Sequence, residues 1–323
     1  MTTPLNVSPL ELHNNDIDIS QPLDENQPPD LISTYLSPVY SAPSLNLILD
    51  YYSQSQSTSN NLVIWNLKNL LVLNFLLISY IYYLIKDNYQ IIGIKKSLLL
   101  NSNANLFHIA YFLLLILSTF LIFLKNYNNY FKNKSKKLAL NNASELFINI
   151  NLNNLILLNE KTLSHKNLSD EDQLLLQNCQ NVKLFIYRNV PIAIIILNPY
   201  TQVPDSDQFI VKIMGLNVRK VYKDIGLYDD LISWAIERSL TLTNLYNKDI
   251  LKNKHSVNEI KLKKNLILNI SVYSFCKVIK QSLLKKKFKL IKKNYLPTFL
   301  GSFYKISNDN YQLSVNLNEI SSS

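Results

Sequence analysis

The sequence predicts a membrane protein in which two transmembrane helices carry a cytosolic α+β domain. The first observation is the stretch 106–124, which has 19 residues and no Asp, Glu, Lys or Arg. At a rise of 1.5 Å per residue, a helix of this length nearly crosses a hydrocarbon core about 30 Å thick. Another apolar stretch lies over residues 62–85, and the periodicity becomes strand-like after residue 181. The alternative for 106–124 is a buried core helix, which the presence of a second span disfavours.

Residues 1–61 are predicted to be an acidic, proline-rich tail. They contain most of the 11 prolines and no basic residue, since the first Lys or Arg is Lys68. Apolar side chains alternate there with prolines, which favour extended backbone. Such a segment either lies along a domain surface and contacts a partner, through residues such as Pro28, Pro29 and Tyr40, or serves as a spacer.

The first span, 62–85, contains the polar residue Asn74 among apolar neighbours. A side-chain amide in lipid is expected to seek a partner, so Asn74 is a candidate contact with the second span or with a helix of another protein. The alternative is an isolated amide that the helix tolerates.

The distribution of lysines predicts the orientation of the spans. The connection 86–105 has three lysines and one aspartate, whereas the juxtamembrane segment 125–140 has five lysines and no acidic residue. Because Lys and Arg concentrate on the cytoplasmic side of spans, both termini are predicted to be cytoplasmic. The net charge of +10 suits a domain beside an anionic membrane face. Nucleic acid is not an expected partner of a two-span protein.

The soluble domain is predicted to occupy residues 141–306, followed by a C-terminal tail, 307–323. Its first part reads as helical, with Ser169 as an N-cap. Apolar alternation and turn signals then predict a hairpin, a strand, a helix, a strand, a helix and two short strands. These elements cover residues 182–188, 191–197, 208–218, 227–242, 266–272, 274–286, 288–292 and 298–306.

The cysteines and histidines do not predict a metal site. Cys179 and Cys276 are the two cysteines, and the four histidines are scattered along the chain without ligand spacing. Two reduced, buried thiols in a cytosolic domain are expected instead.

The succession of hairpin, strand, turn, helix, strand, helix and strand resembles the GNAT acyltransferase fold, a mixed sheet with flanking helices. In that family a turn with the pattern Arg/Gln-x-x-Gly-x-Gly/Ala precedes a helix, and its backbone N–H groups hold the pyrophosphate of acetyl-CoA. The matching residues here begin at Lys223 and have Gly226 at the first glycine. Tyr228 replaces the final small residue and crowds the space for a pyrophosphate, while Asp224 adds repulsion.

The same resemblance implies that the catalytic groups are missing. The next block of the family ends in Tyr-x-x-x-Gly-Phe, and its Tyr often serves as general acid toward the CoA thiolate. Here Leu283 stands at the position of the Tyr, Lys287 replaces the Gly, and Phe288 matches the Phe. Leucine cannot donate a proton. The expectation is a degenerate acyltransferase fold without catalytic residues and without a bound cofactor.

A second resemblance rests on the tail and on the two spans that follow it. The residues that carry it are Pro22-Leu23-Asp24, Asn26, Pro28-Pro29, Leu36, Pro38, Tyr40, Ala42, Leu45-Asn46-Leu47 and Asp50. They resemble the fungal endoplasmic reticulum family of inorganic phosphate transport accessory proteins. The resemblance implies a chaperone or packaging factor of that membrane, with a polytopic phosphate transporter as client and vesicle coat components as further partners. Two spans are too few for the repeat-built folds of transporters themselves.

Two other functions remain open from the sequence. Lys223 and Gly226 favour an active, membrane-anchored N-acetyltransferase that uses acetyl-CoA. Eight lysines without an acidic residue between Ser274 and Lys293 favour a module that binds anionic lipid surfaces. A solvated basic face is the simpler interpretation of those lysines.

Overall fold

The computed structural model describes residues 30–100, 102–127, 129–141, 144–147, 150–163, 169–200, 207–252, 262–297 and 299–317. Its strands are β1 (Leu31–Tyr35), β2 (Val182–Tyr187), β3 (Val190–Tyr200), β4 (Gln208–Val218), β5 (Asn265–Tyr273), β6 (Lys289–Tyr295) and β7 (Ser307–Asn316). They form one mixed sheet in the order β1-β2-β3-β4-β5-β7-β6. Within the described residues, the neighbouring strands are antiparallel except β4 and β5, which are parallel.

Helices lie on both faces of this sheet and also extend away from it. They are α1 (Ser41–Ile64), α2 (Leu67–Leu100), α3 (Ser102–Tyr127), α4 (Tyr130–Leu140), α5 (Leu152–Leu163), α6 (Asp170–Cys179), α7 (Leu227–Lys252), α8 (Lys277–Lys285) and α9 (Phe299–Ser302). Helix α2 is interrupted at Gly93, whose φ of 76° is outside the helical range.

Alternation along the strands separates two hydrophobic cores. On β3, Ile194 and Ile196 are buried in a first core with side chains of α1, α4 and α5. Ala193 and Ile195, on the opposite face of the same strand, are buried in a second core with α7 and α8. Successive side chains of a strand point to opposite faces, so a central strand buried on both sides has a continuous apolar sequence, as β3 does.

Two local predictions are confirmed, although the hairpin turn lies one residue earlier than the predicted Asn189-Val190. The hairpin of β2 and β3 turns at Arg188 and Asn189, whose φ values are both positive, as a two-residue hairpin turn of type I′ requires. Ser169 caps α6, because its Oγ accepts a hydrogen bond from the backbone N–H of Asp172 at 3.2 Å.

The predicted tail is structured from residue 30 onward. Strand β1 pairs with β2 at one edge of the sheet, and α1 packs against the first core. The buried face of α1 recurs every three or four residues and comprises Leu45, Ile48, Tyr52, Ser55, Ser59 and Val63. Because this buried face contains serines, the hydropathy of the sequence alone does not predict an amphipathic helix here.

The first predicted span begins too early in the chain. Residues 62–64 complete α1, and Trp65 and Asn66 separate it from α2, which begins at Leu67. The second predicted span, 106–124, lies within α3.

The end of the sheet also differs from the prediction. The segment 298–306, predicted to be a strand, contains α9, and residues 307–316 of the predicted C-terminal tail form β7, which lies between β5 and β6. Ser307, Asp309 and Tyr311 alternate as the buried face of β7. Two of these three residues are polar, so the strand lacks the apolar alternation that predicts a sheet element.

Candidate functional site

Helices α2 and α3 leave the sheet domain as an apolar pair. Among the described residues, one helix is long and apolar enough to cross a membrane, over Leu67–Leu84, and none of this window is buried. The apolar part of α3, Phe107–Ile122, is shorter. The rings of Tyr80 and Phe112 stack between the two helices with centroids 3.9 Å apart.

The base of this pair is attached to the sheet domain by polar and aromatic contacts. Asn69 in α2 donates from Nδ2 to the hydroxyl oxygen of Tyr304 at 2.9 Å, and the Tyr304 hydroxyl is 3.0 Å from Asn69 Oδ1. The ammonium of Lys68 lies 4.9 Å from the ring centroid of Phe303. An apolar groove of about 410 Å³ lies at the junction, between side chains of α2 and α3 and the rings of Phe303 and Tyr304.

The two predicted partner-contact residues that the structure describes, Asn74 and Tyr40, lie on different elements. Asn74 is exposed on α2, and its amide donates to the carbonyl of Leu70 in the same helix at 2.9 Å. Tyr40 ends the 3₁₀ turn Pro38–Tyr40 and packs against the first core of the domain. Pro28 and Pro29 lie outside the described residues.

The predicted acetyl-CoA loop joins β4 to α7. Gly226 has φ of 90°, and its carbonyl accepts the first hydrogen bond of α7, from the N–H of Asp229 at 2.9 Å. Lys223 is half-buried, and burial lowers its pKa while nearby Cys276 and Asp50 act in the opposite direction. Tyr228 is 2% exposed, belongs to the second core and lines a small cavity together with Lys223 of the loop.

The residues of the second block of the resemblance lie in α8 and in the turn that follows it. Leu283 and Phe288 are buried in the second core. Lys287 has φ of 63°, a left-handed conformation that glycine adopts without strain. The turn that a glycine makes in the resembled motif is therefore present here, made by a lysine. Cys276 and Tyr51 are the side chains that the sequence analysis missed at this site.

Strands β4 and β5 separate next to the loop that joins β4 to α7. Their parallel pairing ends at Ile213 and Ile270, although β4 continues to Val218 and β5 to Tyr273. The separation leaves a cleft that opens toward the face of the sheet covered by α1.

Helix α1 closes the cleft. The ring of Tyr51 stacks on that of Tyr273 with centroids 6.1 Å apart, and its hydroxyl lies 4.0 Å from Cys276 Sγ. On the neighbouring strand, the amide of Asn217 donates to the carbonyl of Leu47 at 2.6 Å. Gly215 permits this close approach, because a Cβ there would lie 3.0 Å from the Ile48 side chain. Two small cavities remain beside the ring of Tyr51, of about 190 and 230 Å³.

Burial keeps the thiol of Cys276 and the hydroxyl of Tyr51 in their neutral forms at neutral pH. Burial raises the pKa of the Cys276 thiol to about 11, so the neutral thiol prevails over the thiolate. Burial is also the main cause that raises the pKa of Tyr51 well above its ordinary value. Lys223 approaches the cleft from the loop and lines the smaller cavity with Tyr228 and Cys276. Further polar residues of that lining are Gln54, Ser55, Thr58 and Lys277.

Comparison with solved structures gives acetyltransferases of the GNAT type. One is the NatC complex, at 15% identity, covering 44% of this chain and 75% of that chain with a TM-score of 0.27. Naa50 of Arabidopsis thaliana is 17% identical, covering 42% and 72%, with a TM-score of 0.28. A GNAT-family acetyltransferase of Streptococcus pneumoniae is 12% identical, covering 46% and 78%, with a TM-score of 0.29. Similarity at this level carries no argument about activity.

The sequence of the chain shows its family. No curated protein sequence matches the chain. Residues 13–315, which include the sheet domain and both apolar helices, match one family model, described as inorganic phosphate transporter chaperone Pho86. The match covers most of the 323 residues. The chain therefore belongs to the Pho86 family of inorganic phosphate transporter chaperones.

Proposed function

We propose that the protein is a chaperone of the endoplasmic reticulum membrane that an inorganic phosphate transporter needs for folding and for exit from that membrane. The observation that carries the proposal is the unburied apolar face of α2 in a chain of this family. Such a helix is stable in lipid and offers its side chains to the spans of a client. In this proposal α2 and α3 both span the membrane, and vesicle coat components act on the assembled complex.

Apolar side chains around α2 supply the client contacts in this proposal. Among the described residues of α2, exposed large side chains include Leu67, Leu71, Val72, Phe75, Ile78, Tyr82 and Tyr83. Its polar residue Asn74 bonds within the helix, so packing rather than a buried hydrogen bond would recognise the client. Helices in lipid associate through close packing of this kind, since lipid tails remove the hydrophobic driving force.

The experiment that tests the proposal follows the transporter in cells that lack this protein. A tagged high-affinity phosphate transporter is imaged during phosphate starvation beside an unrelated plasma-membrane permease. Retention of the phosphate transporter alone in the endoplasmic reticulum is expected. Normal delivery of both proteins to the surface would reject the chaperone function. A chain in which residues 67–84 are replaced by an unrelated apolar helix of equal length is expected to stay in the membrane but to lose function.

The orientation of the spans has an independent test. With both termini in the cytoplasm, the Asn-x-Ser sites at Asn133, Asn142, Asn167 and Asn269 are expected to remain without glycans. Asn103→Thr creates an acceptor at Asn101, within the connection of the spans, and this residue is expected to be glycosylated. Glycans on the C-terminal sites instead would show that the orientation is the opposite of the proposed one.

The second candidate function is an N-acetyltransferase. The glycine turn at the start of α7 favours it, because backbone N–H groups at a helix start suit a pyrophosphate. The buried ring of Tyr228 and the closure of the cleft by Tyr51 count against it. Calorimetry with acetyl-CoA and the full chain tests it, with Gly226→Trp as the control. Binding that this substitution abolishes would favour an enzyme.

A further inference from the structure

One edge of the sheet is exposed along its whole length and carries both lysines and large apolar side chains. Strand β6 is the last strand of the sheet, and all seven of its residues are exposed. Ile291 is 62% exposed, and Tyr295 and Phe303 are exposed as well. We define the β6 edge surface as β6 together with Phe303 and Lys305, which follow α9.

The charge of this region has one sign. Between Ser274 and Asn308 the sequence contains nine lysines and no Asp or Glu. Two of these lysines are paired with acidic residues from other segments, Lys280 with Asp309 and Lys285 with Asp229. On β6 itself Lys289, Lys292 and Lys293 are exposed. A surface that combines positive charge with exposed apolar and aromatic groups suits the interface of an anionic bilayer.

The β6 edge surface lies beside the point where the chain enters α2. Within the surface, the ammonium of Lys305 lies 5.8 Å from the ring centroid of Tyr295. Phe303 is covered by Lys68 in the first turn of α2, and the adjacent Tyr304 exchanges hydrogen bonds with Asn69. The other edge of the sheet, β1, is six strands away, about 29 Å at about 4.8 Å per strand.

We propose that the β6 edge surface rests on the anionic lipid headgroups at the membrane face from which α2 enters. The inference depends on the membrane anchoring given under Proposed function. Lys289, Lys292 and Lys293 attract the acidic headgroups, while Ile291, Tyr295 and Phe303 reach the interfacial region. The contact also shields the free hydrogen-bonding edge of β6 from pairing with another chain. An acidic protein segment is a poorer match, because the apolar groups of the surface adjoin the start of a membrane helix.

Depth-dependent fluorescence quenching in vesicles tests the proposal. The full chain carries one environment-sensitive label on a cysteine introduced at Ile291, at Ile32 or at Phe75, and the unsubstituted chain measures labelling of the native thiols. Ile32 is the matched control, since it is an isoleucine of the opposite edge strand with 53% exposure. The vesicles contain phosphatidylcholine alone or with about one-third phosphatidylserine, plus a lipid spin-labelled either at the headgroup, for residues 291 and 32, or within the acyl chain, for residue 75.

The expected result is strong quenching at residue 291 in the phosphatidylserine vesicles, weak quenching there in phosphatidylcholine alone, and little quenching at residue 32 in either. Replacing Lys292 and Lys293 by Gln is expected to weaken docking about 20-fold in acidic vesicles. The same change at Lys248 and Lys264, which removes equal charge outside this surface, is expected to leave quenching unchanged.

Failure of this inference differs from failure of the anchoring. Quenching of the label at residue 75 without quenching at residue 291 would reject the docked surface and keep α2 in the membrane. Absence of quenching at both positions would reject both proposals. Quenching at residue 291 that ignores the acidic lipid and the lysine substitutions would also reject recognition of anionic headgroups. Loss of the lipid quenching at residue 291 when an acidic peptide is added would assign the surface to a protein partner instead.

Discussion

Lys280 and Asp309 form an ion pair that links α8 to β7 inside the domain. The side chains are 19% and 2% exposed, and Nζ lies 2.5 Å from Oδ2 of the carboxylate. The other carboxylate oxygen accepts a hydrogen bond from the hydroxyl of the buried Ser307 at 2.6 Å. A buried charge with two such partners is satisfied, whereas loss of one partner leaves the other charge uncompensated.

Asp309→Ala is therefore expected to lower the free energy of unfolding by about 3–5 kcal/mol, because it strands the ammonium of Lys280. Asp229→Ala, which breaks the more exposed pair with Lys285, is the matched control and is expected to cost about 1 kcal/mol or less. The midpoint of urea unfolding measures both. Equal losses would show that burial does not set the value of the Lys280 pair.

Substitutions at Gly226 and Lys287, which both have positive φ, are expected to change stability in opposite directions. A Cβ on Gly226 would meet no atom within 4 Å, so the cost of Gly226→Ala comes from its φ of 90° alone. About 1–2 kcal/mol of destabilisation is expected. Lys287, at φ of 63°, is strained already, and Lys287→Gly is expected to be neutral or to stabilise by up to about 1 kcal/mol. Thermal unfolding of the two variants compares the signs, and destabilisation by both would contradict this account.

At the residue scale, the sequence was informative where backbone conformation leaves a signature. The match to the Arg/Gln-x-x-Gly-x-Gly/Ala pattern marked the turn at Gly226, and the pattern around Ser169 marked a helix start. Tyr51 could not be predicted as part of the cleft, because its role depends on a contact with Cys276 across 225 positions of the chain. A contact so distant in sequence follows from the placement of α1 on the sheet and not from local pattern.

Helix α1 covers the cleft and contacts Cys276 through the side chain of Tyr51. Tyr51→Ala is expected to expose Cys276 and so to lower the pKa of its thiol, which burial raises to about 11 in the unsubstituted chain. The thiol would then be alkylated faster, with a rate that rises with pH as the thiolate forms. Tyr52→Ala is the matched control, since Tyr52 packs in the first core over Lys134.

Mass spectrometry after timed alkylation distinguishes local opening from unfolding. Cys179 is an internal reference because it is buried in the first core, and burial raises the pKa of its thiol to about 12. Alkylation of Cys276 alone in Tyr51→Ala is expected. Equal alkylation of both thiols, or equal rates in the two tyrosine variants, would contradict closure of the cleft by Tyr51.

Strands and helices with a clean period were predictable, and those with polar buried faces were not. β2, β3, β4, β5 and α8 lie within a few residues of their predicted positions, because each buries an alternating or continuous apolar set. β7 and α1 were missed, since Asp309 in one and Ser55 in the other occupy buried positions. Their polar side chains are buried on packed faces that only the tertiary structure defines.

We expect the sheet domain of the molecule to fold without the apolar helix pair. Helices α1 and α4 pack against the first core on either side of the insertion, whereas the apolar window of α2 is unburied. Replacing residues 66–128 by a short glycine–serine linker is expected to give a folded domain that stays in solution without detergent. Deleting residues 1–64 instead is expected to abolish cooperative unfolding, because it removes β1 and α1. Aggregation of the first variant, checked by size-exclusion chromatography, would contradict a self-contained domain.

The short joints at both ends of the helix pair limit how the sheet domain moves relative to the pair. Two residues, Trp65 and Asn66, separate α1 from α2, and two positions separate the end of α3 at Tyr127 from the start of α4 at Tyr130. Two extended residues reach only about 7 Å. With two such tethers the domain can rock about the line that joins them but cannot swing freely. In the membrane-anchored state proposed above, we expect a tilt of α2 to be passed along α1 to the ring of Tyr51, which would link events within the bilayer to the cleft.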